Sequence, residues 1–226
     1  GNITKVEVRD ELKYLTAGEN EYVAKSVIIA TGSEHKLLNI PGEEQFSGKG
    51  VSYCAVCDGA FFRNKEVIVI GGGDSAIEEA LYLSNLVSKV TIIHRRDELR
   101  AQKILRDRAF AKENIHFIWD SIPLEIKGER KVSSVEIRNV KTGEESSVSA
   151  DGIFIYVGML PQTEDFKTLG ITNEAGYIPT NEKLETKVAG IFAAGDVREK
   201  EIRQVITAAS DGAIAAQSAY SYVEGL

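Results

Sequence analysis

The sequence predicts an α/β fold with a parallel sheet, and three observations in its middle third carry that prediction. Val67 to Ile70 is a four-residue β-branched run. It leads directly into Gly71-Gly72-Gly73, and then Ala76, Ile77, Ala80, Leu81 and Leu83 recur at helical spacing. A second apolar run, Val90 to Ile93, completes a βαβ unit, whose right-handed crossover makes the two strands parallel. This is a Rossmann-type half-domain.

The other elements follow in order. Alternating patches at Val6–Val8 and Lys13–Thr16, then an apolar run from Ser26 to Ala30, read as a small β-meander feeding a buried strand. Pro41-Gly42 breaks the pattern and marks a domain crossing. Beyond the βαβ unit the reading gives a helix over 98–112 and a strand over 115–119. An antiparallel pair follows across 132–140 and 146–149, then a strand over 153–157. Gly158 to Pro161 interrupts the chain again. The last third holds a strand over 191–194 and a small-residue helix starting near Gln204 and running toward Val223. The organisation expected is therefore 1–40, 41–157 and 158–226.

Composition narrows the function. The 226 residues are 43% hydrophobic and 27% charged, with a formal net charge of −7. No broad basic field exists, so nucleic acid and anionic membrane surfaces are not expected partners. Apolar stretches such as Ile153–Val157 fall far short of the roughly 20 residues that span a bilayer. The first residues also lack the features of a secretory leader. A soluble, cytoplasmic protein is expected.

Two cysteines stand three positions apart, as Cys54-Ala55-Val56-Cys57. A lone C-x-x-C without a leader points to redox work or to half a metal site. His35, His94 and His116 are dispersed and offer no pair to complete tetrahedral zinc, so no metal is expected. Asp58 follows the pair at once. Its carboxyl group could carry the proton that leaves or rejoins a thiol, or Asp58-Gly59 could simply form a turn.

Gly71-x-Gly73-x-x-Ala76 lies where a dinucleotide fingerprint belongs, after a strand and opening a helix, with Gly72, Asp74 and Ser75 completing the turn. Glycines there allow a tight turn and let the backbone approach a pyrophosphate at the helix N-terminus. NAD-binding domains usually place an acid at the end of the second strand to hold a ribose hydroxyl. Here that place is basic: His94-Arg95-Arg96, then Arg100, suited to a 2′-phosphate and hence to NADP. The competing reading has Asp97 and Glu98 pairing with those arginines on a solvated helix start.

Cys54-Ala55-Val56-Cys57-Asp58-Gly59-Ala60-Phe61-Phe62, Gly71 through Ala76, and His94 through Ala101 together closely resemble the low-molecular-weight thioredoxin reductases of the pyridine nucleotide-disulfide oxidoreductases. The likeness extends over essentially the whole chain, including Ala30-Thr31-Gly32 and Ile191 through Asp196. It implies two Rossmann-like FAD/NAD(P)-binding domains of three-layer β-β-α character, the FAD domain being discontinuous with the NADPH domain inserted in it. It implies a relay from NADPH through FAD and the Cys54–Cys57 disulfide to thioredoxin. Cys57 would lie against the flavin, Cys54 would attack the protein disulfide, and Asp58 would act as acid and base. Asp196 would hydrogen-bond the flavin's ribitol, Gly195 would be a further cofactor-binding residue, and Arg203-Gln204-Val205 would approach the ring. The resemblance also implies a homodimer and two domain orientations, with hinges near Pro41 and Gly158. One departure is large: the family's N-terminal G-x-G-x-x-G segment for FAD has no counterpart here, and a truncated chain is expected. An alkyl hydroperoxide reductase flavoprotein core, or a nicotinamide-binding fragment without activity, would share the remaining features.

Overall fold

A computed structural model describes residues 1–225, which fall into two compact units: Gly1–Glu34 together with the chain from Met159 onward, and His35–Gly158. The first unit begins with strands β1 (Lys5–Arg9), β2 (Leu12–Ala17), β3 (Asn20–Ala24) and β4 (Val27–Ile29), followed by the connecting strand β5 (Ser33–His35). The second unit runs β6 (Val51–Ser52), α1 (Ala55–Asp58), β7 (Glu66–Gly71), α2 (Asp74–Leu83), β8 (Lys89–Ile93), α3 (Lys103–Phe110) and β9 (Ile115–Ile118). It continues through β10 (Ser121–Gly128), β11 (Val132–Asn139), β12 (Glu145–Ser149) and β13 (Gly152–Tyr156). The first unit then resumes with β14 (Met159–Pro161), β15 (Ile191–Ala193) and the long helix α4 (Val205–Glu224).

In the second unit a five-stranded sheet, ordered β6-β13-β7-β8-β9, has its adjacent strands parallel throughout. The β-branched runs form strands here because both faces are covered. With a period of two, Val67, Val69, Val90, Ile92 and Phe154 pack with the α2 residues Ala76, Ile77, Ala80 and Leu83. Ile68, Ile70, Ile93, Ile153 and Ile155 face the other way, onto Ile126, Val132, Val135 and Ile137 of an antiparallel sheet ordered β10-β11-β12. The unit therefore has three layers: helix, parallel sheet, antiparallel sheet. Each fully buried Ile or Val in this sandwich contributes about 1.5–3 kcal/mol.

In the first unit β1, β2 and β3 form the antiparallel meander, and β4 pairs in parallel with β15 from the far end of the chain. Helix α4 sets Ala215 and Ala219 against Phe192, Ala194 and Leu184. Lys13 is 1% exposed and joins the meander to α4, donating to Glu11 O at 2.9 Å and to Tyr222 Oη at 3.2 Å. No helix among the described residues is long and apolar enough to cross a membrane.

Three differences from the sequence reading have physical reasons. The second unit starts at His35 rather than 41. Leu38 and Ile40 already pack in its core, and the buried Glu43 carboxylate accepts the Leu38 and Asn39 amides at 3.0 and 2.8 Å. The helix expected over 98–112 begins only at Lys103, because the chain before it bends along the glycine turn, held there by the bonds of Arg100, Ala101 and Gln102 to Gly72 and Asp74. Strand β10 was not expected; Pro123 disguises it, and the ladder accommodates the proline with a register shift between Pro123 and Glu125.

Candidate functional site

The two cysteines sit where β6 gives way to the single-turn helix α1. Cys54 is the N-cap, with extended backbone, and its Sγ accepts the Cys57 amide at 3.2 Å. The turn brings Cys57 back over Cys54, with the Cα atoms 5.3 Å apart and the sulfurs joined in a disulfide. Helix-start amides need partners outside the helix. Here the Cys54 amide donates to Ser52 Oγ at 3.1 Å and the Ala55 amide to Tyr156 Oη at 2.7 Å. Ser52 Oγ in turn donates to Asp58 Oδ2 at 2.7 Å. Asp58 is therefore more than a turn residue, since its carboxylate is held in place. The site is graded in exposure: Ser52 and Ala55 are buried, Cys57 is exposed, and Val56 and Phe61 present apolar side chains 54% and 74% exposed.

Tyr156 ends β13 and links this turn to the next feature. Burial, and then the charge of Glu79, push its phenol well above the ordinary range, so it stays protonated at neutral pH. Burial also raises Glu79, followed by the neighbouring Glu78, and Glu79 Oε2 has no hydrogen-bond partner.

The glycine turn follows β7. A Cβ at Gly71, where φ is 153°, would lie 2.5 Å from Tyr156 O, and one at Gly72 would lie 2.3 Å from His94 Nδ1. Packing inside the chain demands both glycines. Gly73 is different: its Cβ would meet only Arg100, at 3.9 Å. Gly73 is also the N-cap of α2, whose first turn carries Asp74, Ser75 and Ala76. Asp74 Oδ1 accepts the Gln102 amide at 2.7 Å, and Gly72 O accepts the amides of Arg100 and Ala101 at 2.8 and 3.2 Å. His94 is 4% exposed, and its backbone joins Ile118 and Ser121. Its imidazole is held below the usual range by burial, against a bond with the Glu98 backbone, while Arg100, Arg96 and Arg95 lower it further.

The acids flanking the arginines are engaged elsewhere. Asp97 pairs with Lys141 at 2.7 Å and Glu98 with Arg106 at 2.6 Å, and Lys141 also reaches Asp120 at 3.0 Å. Lys141 holds the Asp97 carboxyl below its usual range. The competing sequence reading is contradicted in its pairing of Asp97 and Glu98 with the arginines, though not in its solvated segment. Among the described residues Arg95, Arg96 and Arg100 have no ion pair, and all three are exposed.

In the first unit Ala30, Gly32, Ser33, Ala194, Gly195, Asp196, Ala208 and Gly212 line a cavity of about 250 Å³. Asp196 Oδ1 and Ser33 Oγ are buried without hydrogen-bond partners. The Gly195 amide is fixed from behind by Asp211 Oδ2 at 3.0 Å, and Asp211 is braced by Arg198 and Lys200 at 2.8 and 2.9 Å. Thr31, Arg203, Gln204 and Val205 are not among the lining residues. Thr31 Oγ1 donates to Gln162 O at 2.6 Å, Arg203 lies over the Tyr177 ring at 4.3 Å, Gln204 forms a capping box with Thr207, and Val205 is 86% exposed.

Sequence reasoning missed Ser52, Tyr156, Lys141 and Asp211. Only Ser52 left a trace, as a hydroxyl residue two positions before an N-cap, where serine often meets local amides. The others come from remote segments.

The family model for pyridine nucleotide-disulphide oxidoreductases matches residues 2–212. Thioredoxin reductase of Bacillus subtilis is 57% identical over all of this chain and 72% of its own length, and that of Listeria innocua is 55% identical over all of this chain and 71% of its own. The crystal structure of thioredoxin reductase from Streptococcus pyogenes aligns with a TM-score of 0.95 at 53% identity, covering all of this chain and 74% of that one. The chain belongs to the pyridine nucleotide-disulphide oxidoreductase family. It is an oxidoreductase, and the three relatives just named, each more than half identical to it, are thioredoxin reductases.

Proposed function

We propose that the protein is an NADPH-dependent reductase that uses FAD and the Cys54–Cys57 pair to reduce thioredoxin. The observation that carries this reading is a disulfide turn with Cys57 exposed and a fixed carboxylate, built into the same compact unit as a glycine turn with three arginines that have no ion pair among the described residues. Gly73 has no packing reason of its own to be glycine, which suits close approach of a pyrophosphate to the backbone. Arg95, Arg96 and Arg100 supply forked donors for a 2′-phosphate.

The small-residue cavity of the first unit, with the orphaned oxygens of Asp196 and Ser33, fits a group rich in hydroxyls and ring nitrogens such as FAD. Asp196 would hold its ribitol, and Ala30, Gly32 and Gly195 leave room for it. When bound, FAD supplies the two-electron passage between nicotinamide and disulfide.

At the dithiol, the Cys54 sulfur attacks the partner's disulfide and forms a mixed disulfide. Cys57 then attacks Cys54, which restores the Cys54–Cys57 bond and frees the second partner thiolate. Two electrons leave the dithiol; two protons leave its thiols and two reach the partner's sulfurs. In this reading Asp58, its carboxylate fixed by Ser52, takes up and gives back one proton at a time. Val56, adjacent to Cys57 in the chain, and Phe61 in the short turn that follows are exposed and would offer an apolar landing for a protein disulfide.

The test is anaerobic reduction of the FAD-loaded protein by NADPH, followed at the flavin's visible band, with thioredoxin thiols counted after mixing. Bleaching and stoichiometric thiol formation are expected. Cys57→Ser should abolish thiol formation while leaving the NADPH dissociation constant unchanged. NADPH oxidation without thioredoxin thiols, or undiminished thiol formation by the Cys57 variant, would refute the reading.

A further inference from the structure

We propose that Ser52 is a positioning residue for the proton transfers of the dithiol, acting through Asp58; the inference rests on Asp58 being the acid and base of that step. One hydroxyl serves both ends of the redox turn. Ser52 Oγ accepts the Cys54 amide at 3.1 Å and donates to Asp58 Oδ2 at 2.7 Å. It therefore fixes the backbone of the attacking cysteine and the carboxylate that follows its partner within one bond network. Donation to Oδ2 leaves Oδ1 as the oxygen for exchange with a thiol.

The strand does not ask for this hydroxyl. Ser52 is 5% exposed, beside Val51 in β6, and its register partner is Phe154 on the neighbouring parallel strand. Alanine or valine would suit that setting at least as well, since a buried hydroxyl is tolerated only when it is bonded. All of its bonds lead to the redox turn, the two just named and a longer one to Cys54 O at 3.4 Å, and burial shields them from competition by water.

The serine is a spectator in atom and electron count. As Asp58 gives its proton to a departing sulfur it becomes a carboxylate, and the Ser52 O–H remains on serine and donates to it. When Asp58 takes a proton from a thiol, the same O–H keeps the carboxyl group facing the same way. No proton is consumed at Ser52, and no electron passes through it.

The experiment needs no flavin. The chain is reduced with dithiothreitol, freed of reductant and mixed with oxidised thioredoxin in a stopped-flow instrument, and the exchange rate is followed from acidic to mildly alkaline pH. Four variants are compared with the native chain: Ser52→Ala, Ser52→Thr, Asp58→Asn and the Ser52→Ala/Asp58→Asn pair. General acid–base catalysis contributes on the order of 100-fold or more. Ser52→Ala is expected to slow exchange about 10-fold and to flatten its pH profile, a partial loss within that range. Ser52→Thr, which keeps the hydroxyl, should restore both rate and profile. In the Asp58→Asn background, removing Ser52 should change the rate less than about twofold, because residues acting as a unit are not additive. A native rate in Ser52→Ala with a slow Asp58→Asn overturns the role of Ser52 alone. A slow Ser52→Ala that is equally slow in both backgrounds, or that threonine does not restore, overturns it as well. A native rate in Asp58→Asn overturns the acid–base reading of Asp58 and the inference with it. Unfolding midpoints of all variants separate a lost fold from a lost proton path.

Discussion

Replacing Arg95 and Arg96 together with alanine is the perturbation that most directly interrogates the nucleotide site. Neither guanidinium has an acid partner among the described residues, because Lys141 engages Asp97 and Arg106 engages Glu98. The substitutions therefore remove the charge proposed to face the 2′-phosphate, and no carboxylate loses its partner. A hydrogen bond to a charged group contributes about 1.5–3 kcal/mol. Both side chains are exposed, and screening cuts each to roughly 1–1.5 kcal/mol. Together they amount to about 2–3 kcal/mol, or roughly 30- to 150-fold in the dissociation constant. NADH, which lacks the 2′-phosphate, should weaken less than about threefold. Fluorescence titration of both nucleotides at low and moderate salt measures this, and the NADPH loss should shrink as salt rises. Lys141→Ala provides an internal control: it releases Asp97 to approach the arginines and should weaken NADPH a few-fold with no contact to the nucleotide. Equal losses for NADPH and NADH, or none for either, would show that these arginines do not face a 2′-phosphate.

The glycine turn separates packing from binding. Gly72→Ala drives a Cβ into the buried His94 ring and should cost about 1–3 kcal/mol in urea unfolding, whereas Gly73→Ala meets no obstacle within the chain and should keep its stability yet lose NADPH affinity at least 10-fold. Tyr156→Phe leaves the buried Ala55 amide without its acceptor and should cost about 1–3 kcal/mol by the same assay. A change below about 0.5 kcal/mol would mean the amide finds another partner. His94 gives a pH signature. Its folded-state imidazole is held below the usual value, so its stabilising contribution is complete above the unfolded value of about 6.5 and is lost as pH falls through that window. A His94→Asn variant should show a flatter decline in stability between neutral and mildly acidic pH than the native chain.

The sequence was most legible where one local rule decides. The run Val67–Ile70, the glycine turn and the helix after it each announce themselves, and strand, turn and helix lie where periodicity put them. Residues 98–102 misled because their composition suits a helix, while tertiary bonds to Gly72 and Asp74 hold them against the turn. Strand β10 was hidden by Pro123, whose missing amide is tolerated at a register shift. Cys54, Cys57 and Asp58 were visible by spacing. Their support was not: Tyr156 lies 101 positions from Ala55 in the chain, and Lys141 reaches Asp97 across 44. Such partners are chosen by sheet order, which no window along the sequence contains.

The pairing of β4 with β15 has a consequence for how the chain assembles. Val27 meets Ile191, so the first unit cannot complete its core until a very long stretch of chain has been looped out. An unstructured loop of that length costs about 4–5 kcal/mol in closure entropy, because the cost grows with the logarithm of length. The second unit is contiguous and draws its own ends together, the Lys36 amide donating to Gly158 O at 3.0 Å. Once folded it behaves as a tight turn between the halves of the first unit, and most of that entropy has already been spent. Acquisition order is thereby set: the inserted unit should gain hydrogen-exchange protection first, and a lesion in its core should delay the meander and α4, which belong to the other unit.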